Sequence, residues 1–115
     1  MKFDEIGVKM LNLFLDNEDL TSTEIANTIF KPKNRSESLK KNNLIISRLK
    51  TWIKNGVIHN GTVEKRVAHY QLNTDIIKIG RLVLIIDDNI KEVLGDYFVI
   101  DIEGQERLIA PIFNE

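Results

Sequence analysis

The chain has 115 residues, 43% of them hydrophobic, no cysteine and a formal net charge of −1. That length suits one compact domain or a small domain with an appendage, and the missing cysteines exclude a disulfide framework or a cysteine-based metal site. The N-terminus carries spaced acids instead of a basic flank before an apolar block, and the longest apolar run, 76–86, contains Lys78 and Arg81. It falls short of the ~20 residues a membrane span needs, so a cytoplasmic protein with no membrane partner is expected.

Phe3, Ile6, Val8, Met10, Leu11, Leu13, Phe14 and Leu15 recur at three- and four-residue intervals and predict a first helix over 3–16. Thr21 followed by Glu24 matches a capping box, predicting a second helix over 22–30 with Ile25, Ala26 and Ile29 on its buried edge. Pro32 breaks it. Ile45, Leu49, Trp52 and Ile53 then share one stripe, with Trp52 in the core and Gly56 as the stop. Extending that stripe backward puts the amide of Asn42 on it, which burial would penalise. The preferred reading is therefore a short turn of helix over 36–41 and a helix over 43–55 capped by Asn42 or Asn43. One continuous helix from Ser36 is the alternative.

After Gly56 the apolar period shortens, and residues 57–72 read as two β-prone runs around a glycine-bearing turn, a hairpin. His59 and His69 lie on its two strands. With only Glu64 nearby they suit packing, or a phosphate contact from His69, better than a metal. Ile76, Ile79, Val83, Ile86, Ile90 and Val93 keep a 3–4–3–4 spacing, which predicts a helix over 76–94 with a coiled-coil-like seam and a stop at Gly95. The β-branched run before Asp87-Asp88-Asn89 leaves a strand over 76–86 as the alternative. The tail, 97–112, reads as another hairpin around Glu103-Gly104.

Charge is segregated along this order. Residues 31–73 carry ten Lys/Arg against two acids, +8, while the rest of the chain sums to −9. Positive potential is thus concentrated where a polyanion could sit.

Helix, capped helix, helix and hairpin, with LTSTEIANTIF as the second helix, ISRLKTWIKNGVIHN as the third running into a strand and RVAHYQLN as the returning strand, resemble the winged helix-turn-helix domain of prokaryotic and archaeal transcription regulators. The resemblance spans residues 3–73. It departs from the family at the connection 31–41, where the tight motif uses three or four residues. It implies an α+β fold: a winged helix of three helices and a hairpin wing over 1–73, then an extension over 74–115 with a C-terminal helix and a short hairpin. It further implies sequence-specific binding of double-stranded DNA, with the third helix in the major groove and the wing on the backbone.

Carried over by position, Asn43, Ser47, Arg48, Lys50 and Thr51 fall on the recognition helix, where arginine suits guanine and asparagine suits adenine. Lys33, Arg35, Lys40, Lys41, Lys54, Lys65, Arg66 and His69 suit phosphates. The apolar seam from Ile76 to Val93 would join a homodimer over paired half-sites. No nucleophile–base pair, metal-ligand spacing or phosphate-cradling glycine loop is legible, so no enzyme, metal, cofactor or small-molecule ligand is expected. The alternative function is a winged-helix protein-interaction module without DNA binding.

Overall fold

The computed structural model describes residues 3–102 and 105–112. Among the described residues the fold is α+β, with three α-helices and two three-stranded antiparallel sheets. Helix α1 (Glu5–Asp16) starts where the Asp4 side chain accepts the Gly7 amide at 2.8 Å, and it buries Val8, Met10, Leu11 and Phe14. A two-residue strand, β1 (Leu20–Thr21), leads into α2 (Ser22–Phe30). The expected capping box is formed: Glu24 N–H donates to Thr21 Oγ1 and Thr21 N–H to Glu24 Oε1, both at 3.1 Å. Lys31, left-handed at φ 48°, closes α2 by donating its amide to Asn27 O.

The third helix, α3 (Arg35–Lys54), is continuous, so the break preferred at Asn42 is absent. Asn42 is only half-buried, and its Oδ1 accepts from Thr23 Oγ1 of α2 at 3.3 Å. Its polarity is met by a partner, which removes the cost that argued for a break. The start of α3 is instead set by Asn34, whose Oδ1 accepts the Glu37 amide at 2.8 Å. Only residues 31–34 join α2 to α3. The long connection expected from sequence is thus a four-residue one. At the other end Val57 N–H bonds Trp52 O and Gly56 N–H bonds Ile53 O, with Gly56 at φ 77°. This Schellman closure turns the chain directly into a strand.

Strands β2 (Ile58–Glu64) and β3 (Val67–Leu72) form the expected hairpin, and β1 adds to the outer edge of β3 through Leu20↔Tyr70 and Thr21↔His69. The turn is not at the glycine. Gly61 lies at a bulge between the pairs Asn60↔Tyr70 and Val63↔Ala68, where a Cβ would come within 3.1 Å of His69 O. The reversal is made by Lys65 and Arg66, both left-handed (φ 49° and 66°), as a two-residue turn of the I′ kind requires.

The expected C-terminal helix over 76–94 is overturned. After a 3-10 turn (Thr74–Ile76), β4 (Ile77–Ile86) and β5 (Asn89–Ile102) form a long hairpin, and β6 (Gln105–Pro111) pairs with the second half of β5. The β-branched run and a left-handed turn at Asp87 and Asp88 (φ 52° and 64°) outweigh the heptad-like spacing, which pleated strands leave on both faces. Gly80 pairs with Tyr97, whose ring lies where a Gly80 side chain would be: a Cβ there would sit 2.5 Å from the ring. The tail hairpin is present as paired β5 and β6. Its turn, Glu103-Gly104, lies outside the described residues.

One core joins the two sheets. Ile25, Ile45, Leu49, Trp52 and Ile58 cluster with Met10, Leu11 and Phe14 of α1 and with Phe98, Ile100 and Ala110 of the second sheet. Trp52 meets the Phe3 ring edge-on at 5.5 Å. Gly7 accommodates this corner, since a Cβ would lie 3.3 Å from Phe3 and 3.2 Å from the capping carboxylate of Asp4. The molecule measures 57 × 33 × 22 Å. Among the described residues no helix is long and apolar enough to cross a membrane.

Candidate nucleic-acid interface

The geometry of α3 sorts the candidate residues. Ile45, Leu49 and Trp52 face the core, and on the opposite side Ser36, Lys40, Asn43, Ser47, Lys50 and Lys54 are all exposed. Their intervals of four, three, four, three and four residues keep them within an arc of about 80° on an ideal helix. Asn43, Ser47 and Lys50 thus lie on one polar stripe, with Lys40 and Lys54 on the same line. Thr51 is exposed at its flank, and so is Leu39.

Arg48 is placed elsewhere. It lies roughly 120° around the helix from the stripe, and its guanidinium makes two bonds to the Asp4 carboxylate, Nη1–Oδ1 at 2.9 Å and Nη2–Oδ2 at 2.7 Å. The Arg48 side chain is 28% exposed. The guanidinium, with the Gly7 amide, lowers the Asp4 pKa to about 2. Arg48 therefore clamps α3 to the start of α1, and the two fork donors that would suit a guanine are engaged.

The cations assigned to phosphates also divide. Lys33 and Arg35 are exposed beside the first turn of α3, where with Lys31, Asn34 and Ser38 they line an open depression of about 400 Å³. The free amides of a helix start add to the positive potential there. Lys41 leaves the stripe, its ammonium 4.6 Å above the Phe30 ring. Lys65 and Arg66 form the tip of the β2–β3 hairpin, both exposed. His69 turns inward: Nδ1 is 3.3 Å from Asp19 Oδ1, and only 18% of the side chain is exposed. His59 Nε2 lies 3.1 Å from Gln71 Oε1. Among the described residues no group of three or more His, Asp or Glu side chains is placed to hold a metal ion.

Ser36 and Leu39 fall outside the expected candidates, because the preferred reading separates 36–41 from the helix over 43–55. The signal was present in Asn34 followed by Glu37, an acceptor at a helix start with an acid three residues on. The six residues of the expected seam, Ile76, Ile79, Val83, Ile86, Ile90 and Val93, do not form a helix face. Ile76 sits in the 3-10 turn and the other five are spread over β4 and β5.

No protein family, curated protein or solved structure matches this chain.

Proposed function

We propose that residues 3–73 act as a winged helix that binds double-stranded DNA sequence-specifically, and that the chain is a transcriptional regulator working in pairs. The observation that carries this reading is the exposed stripe of α3, from Ser36 through Lys40, Asn43, Ser47 and Lys50 to Lys54. Its side chains combine groups that bond base edges with cations that seek phosphates. Support comes also from the four-residue connection 31–34, the spacing a tight helix-turn-helix uses, and from a basic hairpin tip following α3.

With α3 starting at Arg35, the reading face moves toward the helix start. Ser36, Asn43 and Ser47 become the base-edge set, and Leu39 offers an apolar contact for a thymine methyl. Lys33, Arg35, Lys40, Lys50, Lys54, Lys65 and Arg66 contact the backbone. Arg48, held by Asp4, positions α3 without reading bases.

The test is duplex binding after selection of a preferred fragment from a random pool. Affinity should fall steeply with salt, since each phosphate contact steepens the dependence by about one in the log–log slope. Asn43→Ala with Ser47→Ala should remove most of the preference for the selected fragment, each base contact contributing about 1–3 kcal/mol of discrimination. Lys40→Ala with Lys50→Ala should weaken all duplexes alike. Absence of any salt-dependent duplex affinity would sink the reading in favour of a protein-binding adaptor.

A further inference from the structure

Beyond the body of the molecule the β4–β5 hairpin continues as an arm. Every residue from 84 to 95 is exposed, among them the large aliphatics Leu84, Ile85, Ile86, Ile90, Val93 and Leu94. Both faces are apolar: Val83↔Val93 and Ile85↔Ile90 pair on one, while Leu82, Leu84 and Ile86 fall on the other. Four of these exposed aliphatics, Leu82, Leu84, Ile85 and Ile86, follow one another along β4 and flank its outer edge.

We propose that a second copy of this chain pairs with the arm, the two copies joining along the outer edge of β4 to make one four-stranded antiparallel ribbon. The two edges of the arm are not equivalent. Between Leu82↔Gly95 and Val83↔Val93, and between Leu84↔Glu92 and Ile85↔Ile90, the extra residue lies on β5, so Leu94 and Lys91 bulge from that strand while β4 stays regular. Bulges and charge are how free edges are kept from pairing, and β5 has both, with Lys91 and Glu92 on the exposed stretch. From Leu82 to Ile86, β4 has no charge, proline, glycine or extra residue.

Charge favours the same seam. The two cations of β4 are each matched within the hairpin, Arg81 Nε at 3.1 Å from Asp96 Oδ1 and Lys78 Nζ at 3.7 Å from Asp101 Oδ2. Placing Leu82 near a twofold axis sets both cations opposite aliphatic positions of the other strand, so no like charges meet. An edge that pairs with its own copy is consumed by the pairing, so the assembly closes at two copies. The joined ribbon supplies the paired arrangement that the duplex-binding reading uses, yet the pairing itself needs no DNA.

Light scattering on the full chain without DNA, over a dilution series, tests it. The expected mass is twice 13.3 kDa. Leu82→Lys with Leu84→Lys should return the mass to that of one chain with an unchanged circular dichroism spectrum, whereas Val93→Lys with Leu94→Lys should leave it doubled. Because the chain has no cysteine, single cysteines at Leu82, Val83 or Leu84 provide a second measurement that does not depend on the lysine variant folding. At least one should give a disulfide-linked pair on mild oxidation, and one at Lys91 should give none. A single-chain mass at every concentration overturns the pairing. A doubled mass that only the β5 lysines dissociate, or a crosslink only at Lys91, overturns the β4 seam.

Discussion

The β2–β3 and β4–β5 hairpins reverse direction in the same way and differ in the balance of what they show to solvent. Each turns through two consecutive non-glycine residues of like charge in the left-handed region, Lys65-Arg66 in the first and Asp87-Asp88 in the second. The exposed flanks of the first carry His59, Asn60, Thr62 and Glu64 with Val63 and Val67 beside the turn, while those of the second carry Leu82, Leu84, Ile85, Ile86, Ile90, Val93 and Leu94 with Lys91 and Glu92. Turn geometry thus says little about use. What separates the two is the balance of the coating: a cationic tip on a mainly polar ribbon suits a hydrated polyanion, and an acidic tip on a mainly aliphatic ribbon suits burial with the tip left in water.

The sharpest way to break this comparison is to ask whether the two regions fold together. Phe98 is fully buried in the second sheet and belongs to the same cluster as Trp52 and Leu49 of α3. Phe98→Ala should cost about 3–5 kcal/mol and shift a single cooperative transition followed by both fluorescence of Trp52 and circular dichroism. Two separated transitions, with the tryptophan signal unmoved, would show that the helical region and the second sheet are independent units.

Exchanging the turns comes next in size. Asn-Gly is the preferred pair for this turn, because both positions need positive φ. Lys65→Asn with Arg66→Gly should raise stability by about 1 kcal/mol while lowering the salt slope of duplex binding by about two. Asp87→Asn with Asp88→Gly should bring a smaller gain, since aspartate tolerates this region better than lysine or arginine, and leave duplex binding where it was. Equal effects of the two exchanges on duplex affinity would mean that the charge of the tips does not divide the hairpins' roles.

The helical half and its hairpin were legible because local signals there agree with tertiary packing. Thr21 and Glu24 make their capping box, Gly56 makes its stop, and Ile45, Leu49 and Trp52 are buried as their spacing requires. What failed had physical causes. Asn42 argued for a break only because its partner, Thr23, lies nineteen residues away. The bond that engages Arg48 was hidden because Asp4 lies forty-four residues away. Gly61 drew the turn toward itself, although its smallness is used for the close approach of β3. The error over 76–94 is of another kind: a hairpin apolar on both faces leaves no alternation of polar and apolar residues, so its periodicity can be mistaken for that of a helix. The property that hid those strands is the one that leaves the arm's aliphatics exposed.

The smallest expected effect separates the two duties a single carboxylate performs at the edge of the proposed reading face. Asp4 both caps α1 and holds Arg48. Asparagine caps a helix about as well as aspartate, so Asp4→Asn isolates the ion pair. Its side chains are 54% and 28% exposed for Asp4 and Arg48, and screening limits the loss to roughly 0.3–1 kcal/mol near neutral pH. The sign with pH follows from a folded-state pKa lowered from 3.8 to about 2. The contribution is complete above the unfolded value and fades as pH falls from about 4 toward 2, so wild type and variant should converge in stability across that window. Released from Asp4, Arg48 still lies away from the stripe of Ser36, Asn43 and Ser47, and discrimination between the selected duplex and random duplex should be unchanged. A marked rise in that discrimination would return Arg48 to the reading face, and Asp4 would then act as a restraint on recognition.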